Sequence, residues 1–107
     1  MVSSISNQNN PNSVSVKRCF KFEKMLCVDL VFDKTTNTIQ SIKITGDFFL
    51  HPEETIDLIE SEIVGEKLEK DVIKKKLESL LSGCEFYGFS IDSLSDAIIK
   101  CKEANSH

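Results

Sequence analysis

Cys19, Cys27, Cys84 and Cys101 are the side chains in this sequence with the widest chemical reach, and His51 is its one histidine away from the C-terminus. A thiolate can attack an electrophile, hold a soft metal or close a disulfide. Each use demands company. Zinc sites take four ligands at short spacings, yet no two of these cysteines form a C-x-x-C pair and the 107 residues contain only 2 histidines. A nucleophilic thiol needs a nearby base or a basic helix start, and neither Cys84 nor Cys101 has one beside it in sequence. What remains is a disulfide pair or four reduced thiols serving as small apolar residues. The expectation is the second, set by the intracellular context argued below. His51 precedes Pro52 and reads as a helix-entry residue rather than a general base.

Other constellations are missing as well. The sequence holds no glycine-rich phosphate loop, no G-x-S-x-G and no H-E-x-x-H. Its many Glu and Lys residues fall at helical spacings, where they belong on a solvated face. No catalytic residue and no metal ligand is therefore expected, which points to a binding or accessory role. The net charge of −4 and pI near 5.1 argue against a general nucleic-acid binder. No apolar run is long enough to span a bilayer, and the start "MVSSISNQNNPNSVSV" lacks the basic and apolar regions of a signal peptide. The reading is a cytoplasmic protein with no membrane and no nucleic-acid partner.

The elements that must position any site follow from periodicity. Residues 1–14, rich in Ser and Asn, are expected to be a flexible tail, residues 15–103 one domain, and residues 104–107 a frayed end. Phe20 and Phe22 alternate with Lys21 and Glu23 in a short first strand. In "MLCVDLVF", Leu26, Val28, Leu30 and Phe32 fall on one face and Met25, Cys27, Asp29 and Val31 on the other. Asp33 to Thr38 is a polar hairpin connection, and "IQSIKITGDF" is a third strand with Ile42 and Ile44 on one face. Three strands joined by short turns make an antiparallel meander.

The period then changes. Pro52 suits a first helical turn, with Ile56, Ile59 and Ile63 lining one face and Gly65 as a C-terminal cap. A second helix is expected over 69–81, with Lys74 to Lys76 on its solvated side, and "CEFYGFS" as a linking segment. Ser90 caps a third helix with Ile91, Leu94, Ala97, Ile98 and Cys101 apolar. The fold class is α+β: a three-stranded antiparallel β-meander followed by about three helices packed on one face. One oddity stands at the change of period. "KITGDFFLHPEE" puts two adjacent large aromatics, Phe48 and Phe49, where a connection normally carries polar residues.

Those same residues carry a resemblance. "MLCVDLVFDKTTNTIQSIKITGDFFLHPEETIDLIESEIVGEKL" with "YGFSIDSLSDAI" resembles the C-terminal accessory domain of lipoate-protein ligases. The matching motifs are Gly46-Asp47-Phe48-Phe49 with Pro52, Gly65-Glu66-Lys67-Leu68 and Gly88-Phe89-Ser90, and the likeness covers about residues 17–101. It departs at Phe22-Glu23-Lys24-Met25, where the family often has two glycines before the lysine. The resemblance implies a fold similar to iron–sulfur scaffold and sulfur-acceptor proteins. It implies an accessory subunit of a split ligase, with a large catalytic subunit as partner and lipoyl domains as acceptors. ATP, Mg and lipoate would sit on the partner, and this chain alone would bind no cofactor. Lipoate and ATP would give lipoyl-AMP, and the lipoyl group would then pass to a lysine. Lys24, Gly46, Asp47, Phe48, Phe49 and Pro52 become candidate partner contacts, with Lys24 either reaching phosphate or staying a solvated turn lysine. Competing readings are a sulfur-transfer or iron–sulfur scaffold module, which needs a reactive cysteine among Cys27, Cys84 and Cys101, and a simple adaptor.

Overall fold

The computed structural model describes residues 12–103, so the expected frayed end and nearly all of the expected tail lie outside the described residues. Strands β1 (Ser13–Lys21), β2 (Met25–Asp33) and β3 (Thr38–Gly46) form an antiparallel meander in the order β1-β2-β3. β1 begins at Ser13, two residues ahead of the expected domain start and well before Phe20. The alternation of β2 is realised as read: Leu26, Val28, Leu30 and Phe32 are buried, while Met25, Cys27, Asp29 and Val31 lie on the more open face. β3 carries a feature that alternation alone misses. The register shifts between Val31 and Phe32, so Phe32 faces Ile39 while Val31 faces Ser41. Gln40 is thus the extra residue of a bulge, and Ile39, Ile42 and Ile44 all reach the core despite their uneven spacing.

The hairpin between β2 and β3 is built from short polar side chains. Asp33 Oδ1 accepts the N–H groups of Thr35 at 2.8 Å and Thr36 at 3.2 Å, and Asn37 takes the left-handed conformation at φ 62°. After β3 the chain forms β4 (Phe49–His51), then helices α1 (Glu54–Glu62) and α2 (Lys70–Leu80), then β5 (Glu85–Tyr87) and helix α3 (Ile91–Glu103). β4 and β5 pair antiparallel as a separate two-stranded ribbon. The segment "CEFYGFS" is therefore a strand as much as a link, and the three helices are not consecutive. Three residues are too few for periodicity to reveal a strand.

All three helices gather on the apolar face of the meander, as the fold class requires. α3 packs on β1 and β2, α1 on β3, and α2 lies against α1 and α3. Ile59 and Ile63 from the first helical segment, Ile73, Leu77 and Leu81 from the second, and Leu94, Ala97, Ile98 and Cys101 from the third close the core. Each buried aliphatic side chain contributes about 1.5–3 kcal/mol, so this layer dominates the stability of the domain. Ser90 caps α3: its Oγ accepts the Ser93 N–H at 3.0 Å while Ser93 Oγ accepts the Ser90 N–H at 2.8 Å. Gly65, at φ 90°, ends the first helical segment and donates its N–H to Ile39 O at 2.8 Å. Glu60 Oε2 accepts the Ile44 N–H at 2.8 Å, which occupies the outer edge of β3. The lysines of α2 stay on the surface and pair loosely, Lys74 with Asp92 at 3.5 Å and Lys76 with Glu66 at 3.6 Å. No helix among the described residues is long and apolar enough to cross a membrane.

The expectation of four reduced thiols is corrected. Cys19 and Cys27 stand directly opposite one another across β1 and β2 and are joined by a disulfide, while Cys84 and Cys101 are free. The reason is register. The short turn from Phe22 to Lys24 brings Lys21 opposite Met25, and two rows further in the two cysteines coincide. Composition cannot show that.

Candidate functional site

Three connections meet at one end of the meander: the β1–β2 turn, the step from β3 into β4, and the turn from β5 into α3. Backbone hydrogen bonds join them, with Lys24 N–H donating to Gly88 O at 3.4 Å and Asp47 N–H donating to Met25 O at 2.9 Å. Two glycines make the approach possible. A Cβ on Gly46 would lie 2.2 Å from Met25 O, and Gly46 has φ 147°. A Cβ on Gly88 would lie 2.9 Å from Lys24 Cγ and 3.1 Å from Phe48 Cβ, with φ 104°. Both positions exclude a side chain by space and by backbone conformation. The Lys24 stem therefore lies across Gly88 beside Phe48, and its ammonium extends from an exposed residue.

The two adjacent phenylalanines separate here. Phe48 is half-buried, and its ring meets the edge of Phe89 at 5.3 Å and 83°. Phe89 is 7% exposed and also stacks on Phe86 at 5.0 Å. Phe48 thus belongs to an aromatic cluster that ties the meander to the start of α3. Phe49 turns the other way and is 53% exposed. Its register partner on β5 is Tyr87, 55% exposed, and its ring lies parallel to His51 at 6.4 Å. The outward face of the ribbon is accordingly Phe49, Tyr87 and His51, with Glu85 opposite His51.

A cleft of about 400 Å³ runs beside the ribbon, lined by Ile44, Gly46, Phe48, Phe49, His51 and Ile56 among others. A second, of about 410 Å³, is lined by Phe22, Glu23, Gly88, Phe89, Ser90 and Ser93. Phe48, which lines the first, lies against Gly88, which lines the second. Of the sequence-nominated residues, Lys24, Gly46, Asp47 and Phe48 are brought together, and Phe49 shares the first cleft. Pro52 stands at the far end of β4. There its peptide with His51 is cis, and its carbonyl accepts the Thr55 N–H at 3.0 Å as the chain enters α1. It precedes the helix instead of occupying its first turn.

Tyr87 and Met25, the latter 40% exposed, complete this surface and were not nominated from sequence. In β5 Phe86 turns inward and Tyr87 outward, an alternation too short to be read from the sequence. Among the described residues no group of three or more His, Cys, Asp or Glu is placed to hold a metal. The two free thiols differ in exposure. Cys101 is fully buried, and burial pushes its thiol up to about 11. Cys84 is half-buried, with Thr55 Oγ1 at 3.6 Å. The arrangement is a surface of exposed aromatics, a lysine and open clefts.

The family described as "Bacterial lipoate protein ligase C-terminus" matches residues 13–98. Among solved structures, the chain is similar to one from an archaeal lipoylation system, a bipartite lipoate protein ligase and its E2 lipoyl domain from Thermoplasma acidophilum. The TM-score is 0.71 at 26% identity, over 80% of this chain and 96% of that one. No curated protein matches. The motifs of the resemblance sort into two kinds: Gly65 and Leu68 fasten the helical layer to the β2–β3 hairpin, whereas Gly46 to Phe49 and Gly88 build the exposed end. With most of its length matched, and with the same meander and helical layer, the chain belongs to the family of lipoate-protein ligase C-terminal accessory domains.

Proposed function

We propose that this chain is the accessory subunit of a split lipoate-protein ligase and acts by docking its Lys24–Phe49–Tyr87 end onto a large catalytic subunit. The observation that carries the reading is the exposed aromatic pair Phe49 and Tyr87, at the end of the domain where Lys24 lies over Gly88 and beside Phe48. The relative from the bipartite ligase supports it, because that chain is covered at 96% by this fold and so consists of little else.

The chemistry explains why such a subunit helps. Activation of lipoate joins a carboxylate to the α-phosphate of ATP, so two anions must be held together. The product is a mixed anhydride that water destroys. Positioning and exclusion of water are the requirements, and a docked domain meets both by ordering loops over the partner's site. ATP, Mg and lipoate are held by the partner, and lipoyl domains receive the lipoyl group in the second step. The net acidic chain suits a basic partner surface, and on this reading the exposed Lys24 is the candidate for a phosphate contact. A sulfur-transfer role needs a free, accessible thiol: Cys101 is enclosed and Cys27 is tied in a disulfide, which leaves the half-buried Cys84 as its remaining support.

The test is reconstitution. This chain alone is expected to form no lipoyl-AMP, and addition of it to the large subunit is expected to switch on ATP-dependent adenylation. Equal adenylation by the large subunit without it overturns the reading.

A further inference from the structure

We propose that Cys19 and Cys27 form a reversible thiol–disulfide exchange site that fixes the Phe22–Lys24 turn, and with it the docking end; the second part rests on the docking reading above. The site is defined by placement. The two cysteines pair directly across β1 and β2, separated from the turn only by the Phe20–Leu26 and Lys21–Met25 rows. They lie on the face of the sheet that the helices do not cover, with Cys19 exposed and Cys27 half-buried. Opening the bond therefore removes no core packing. It removes a covalent clamp from β1, an edge strand. Beyond the clamp the turn is held by few bonds: Phe22 N–H donates to Lys24 O at 3.2 Å, and Lys24 N–H to Gly88 O at 3.4 Å. The turn that needs fixing is the one that lays Lys24 over Gly88 and Phe48.

Access and charge favour exchange at this pair. Lys17 and Lys21, both exposed, flank Cys19 on its own strand and face, and attract an anionic thiolate; Met25 and Asp29 flank Cys27. A thiolate of a low-molecular-weight thiol such as glutathione attacks Cys19 Sγ. The Cys19–Cys27 bond breaks as the new S–S bond forms, and Cys27 leaves as a thiolate and takes up a proton. A second glutathione thiolate attacks the glutathione sulfur of the mixed disulfide. That releases Cys19, which takes up a proton, and forms glutathione disulfide. Two electrons and two protons have passed to the pair, and glutathione disulfide reverses the sequence.

The experiment uses the full chain equilibrated in glutathione buffers of stepped ratio, quenched by alkylation and weighed. The expected result is one reversible two-electron transition at Cys19 and Cys27, with Cys101 unlabelled in both states. Amide hydrogen exchange then compares the oxidised chain with the reduced chain and with the C19S/C27S variant, which is permanently open. Protection at residues 22–25 is expected to fall about tenfold on opening while Val28 and Leu30 keep theirs. Association with the large ligase subunit is expected to weaken by a similar factor. A pair that does not titrate between the two forms, or turn amides equally protected in both, overturns the proposal. Failure of both forms to bind the large subunit overturns the docking reading instead, and the exchange data then decide the switch alone.

Discussion

The meander and the β4–β5 ribbon obey the same alternation and end differently. In the meander one face is sealed by three helices, and the other shows what a bare sheet face looks like in water: Lys17, Asp29 and Lys43 share a row across the strands. In the ribbon the inward residues are Leu50 and Phe86, and the outward ones are the aromatics Phe49 and Tyr87. A two-stranded ribbon of three-residue strands has no stability of its own. It is held by the Phe48–Phe89–Phe86 cluster and still spends its outer face on rings that water does not favour. On the docking reading proposed above, the difference separates a surface left for solvent from one kept for a partner.

The largest effect expected is in the sealed layer. Leu30 is fully buried at the middle of β2, and Leu30→Ala is expected to lower the unfolding free energy by about 3 kcal/mol, read from denaturant midpoints at constant slope. The contrast between the two regions breaks if this change costs no more than truncation of Phe49.

Alkaline pH gives a second, smaller probe of the same layer. Cys101 lies on α3 with Sγ 4.0 Å from Val28 O, and its thiol moves from an ordinary 9.0 to about 11 in the fold. Between those values the unfolded chain gives up this proton and the folded chain keeps it. Unfolding therefore releases a proton, and stability present in full below pH 9 is lost as pH rises toward 11, by on the order of 2 kcal/mol. Cys101→Ala is expected to be less stable at pH 8 yet to lose this alkaline slope, as shown by urea midpoints at stepped pH. An unchanged slope in the variant would show that the buried layer does not supply it.

How much of this could be read from residues alone depended on the length over which a pattern ran. β2 and α3 were legible because nine and thirteen residues repeat the period of their element. The reciprocal Ser90 and Ser93 cap was half visible, since Ser90 sits where a cap is needed and its partner differs from the usual Glu. The bulge at Gln40 was not legible, because it is a property of two strands in register. The Cys19–Cys27 bond was hidden for the same reason, and an assumption about compartment pointed the other way. β5 was too short to announce itself, which left Tyr87 out of the candidate surface. The turn glycines fell between these cases. Gly46 was visible as a residue permitting a turn, but its contact with Met25 O depends on which chain passes beneath it.

The sharpest version of the comparison lies in two neighbouring residues. Phe48→Ala empties a place in the aromatic cluster beside Gly88 and is expected to cost about 2 kcal/mol of stability, less than Leu30→Ala because the ring is only half-buried. Phe49→Ala removes a ring that is mostly in water, loses the parallel contact with His51, and is expected to change stability by no more than about 0.5 kcal/mol. Its effect belongs to assembly. An exposed aromatic at the centre of a docking patch is the kind of residue whose truncation costs about 2 kcal/mol or more of binding, so affinity for the large subunit should fall roughly thirtyfold while the thermal midpoint stays put. Tyr87→Ala is expected to act in the same direction, since the two rings are register partners, and the double variant should lose less than the sum of the two. If Phe49→Ala unfolds the domain, the ribbon is part of the core after all. If it leaves both stability and affinity untouched, the outward rings are not the docking surface and the partner must meet the chain elsewhere.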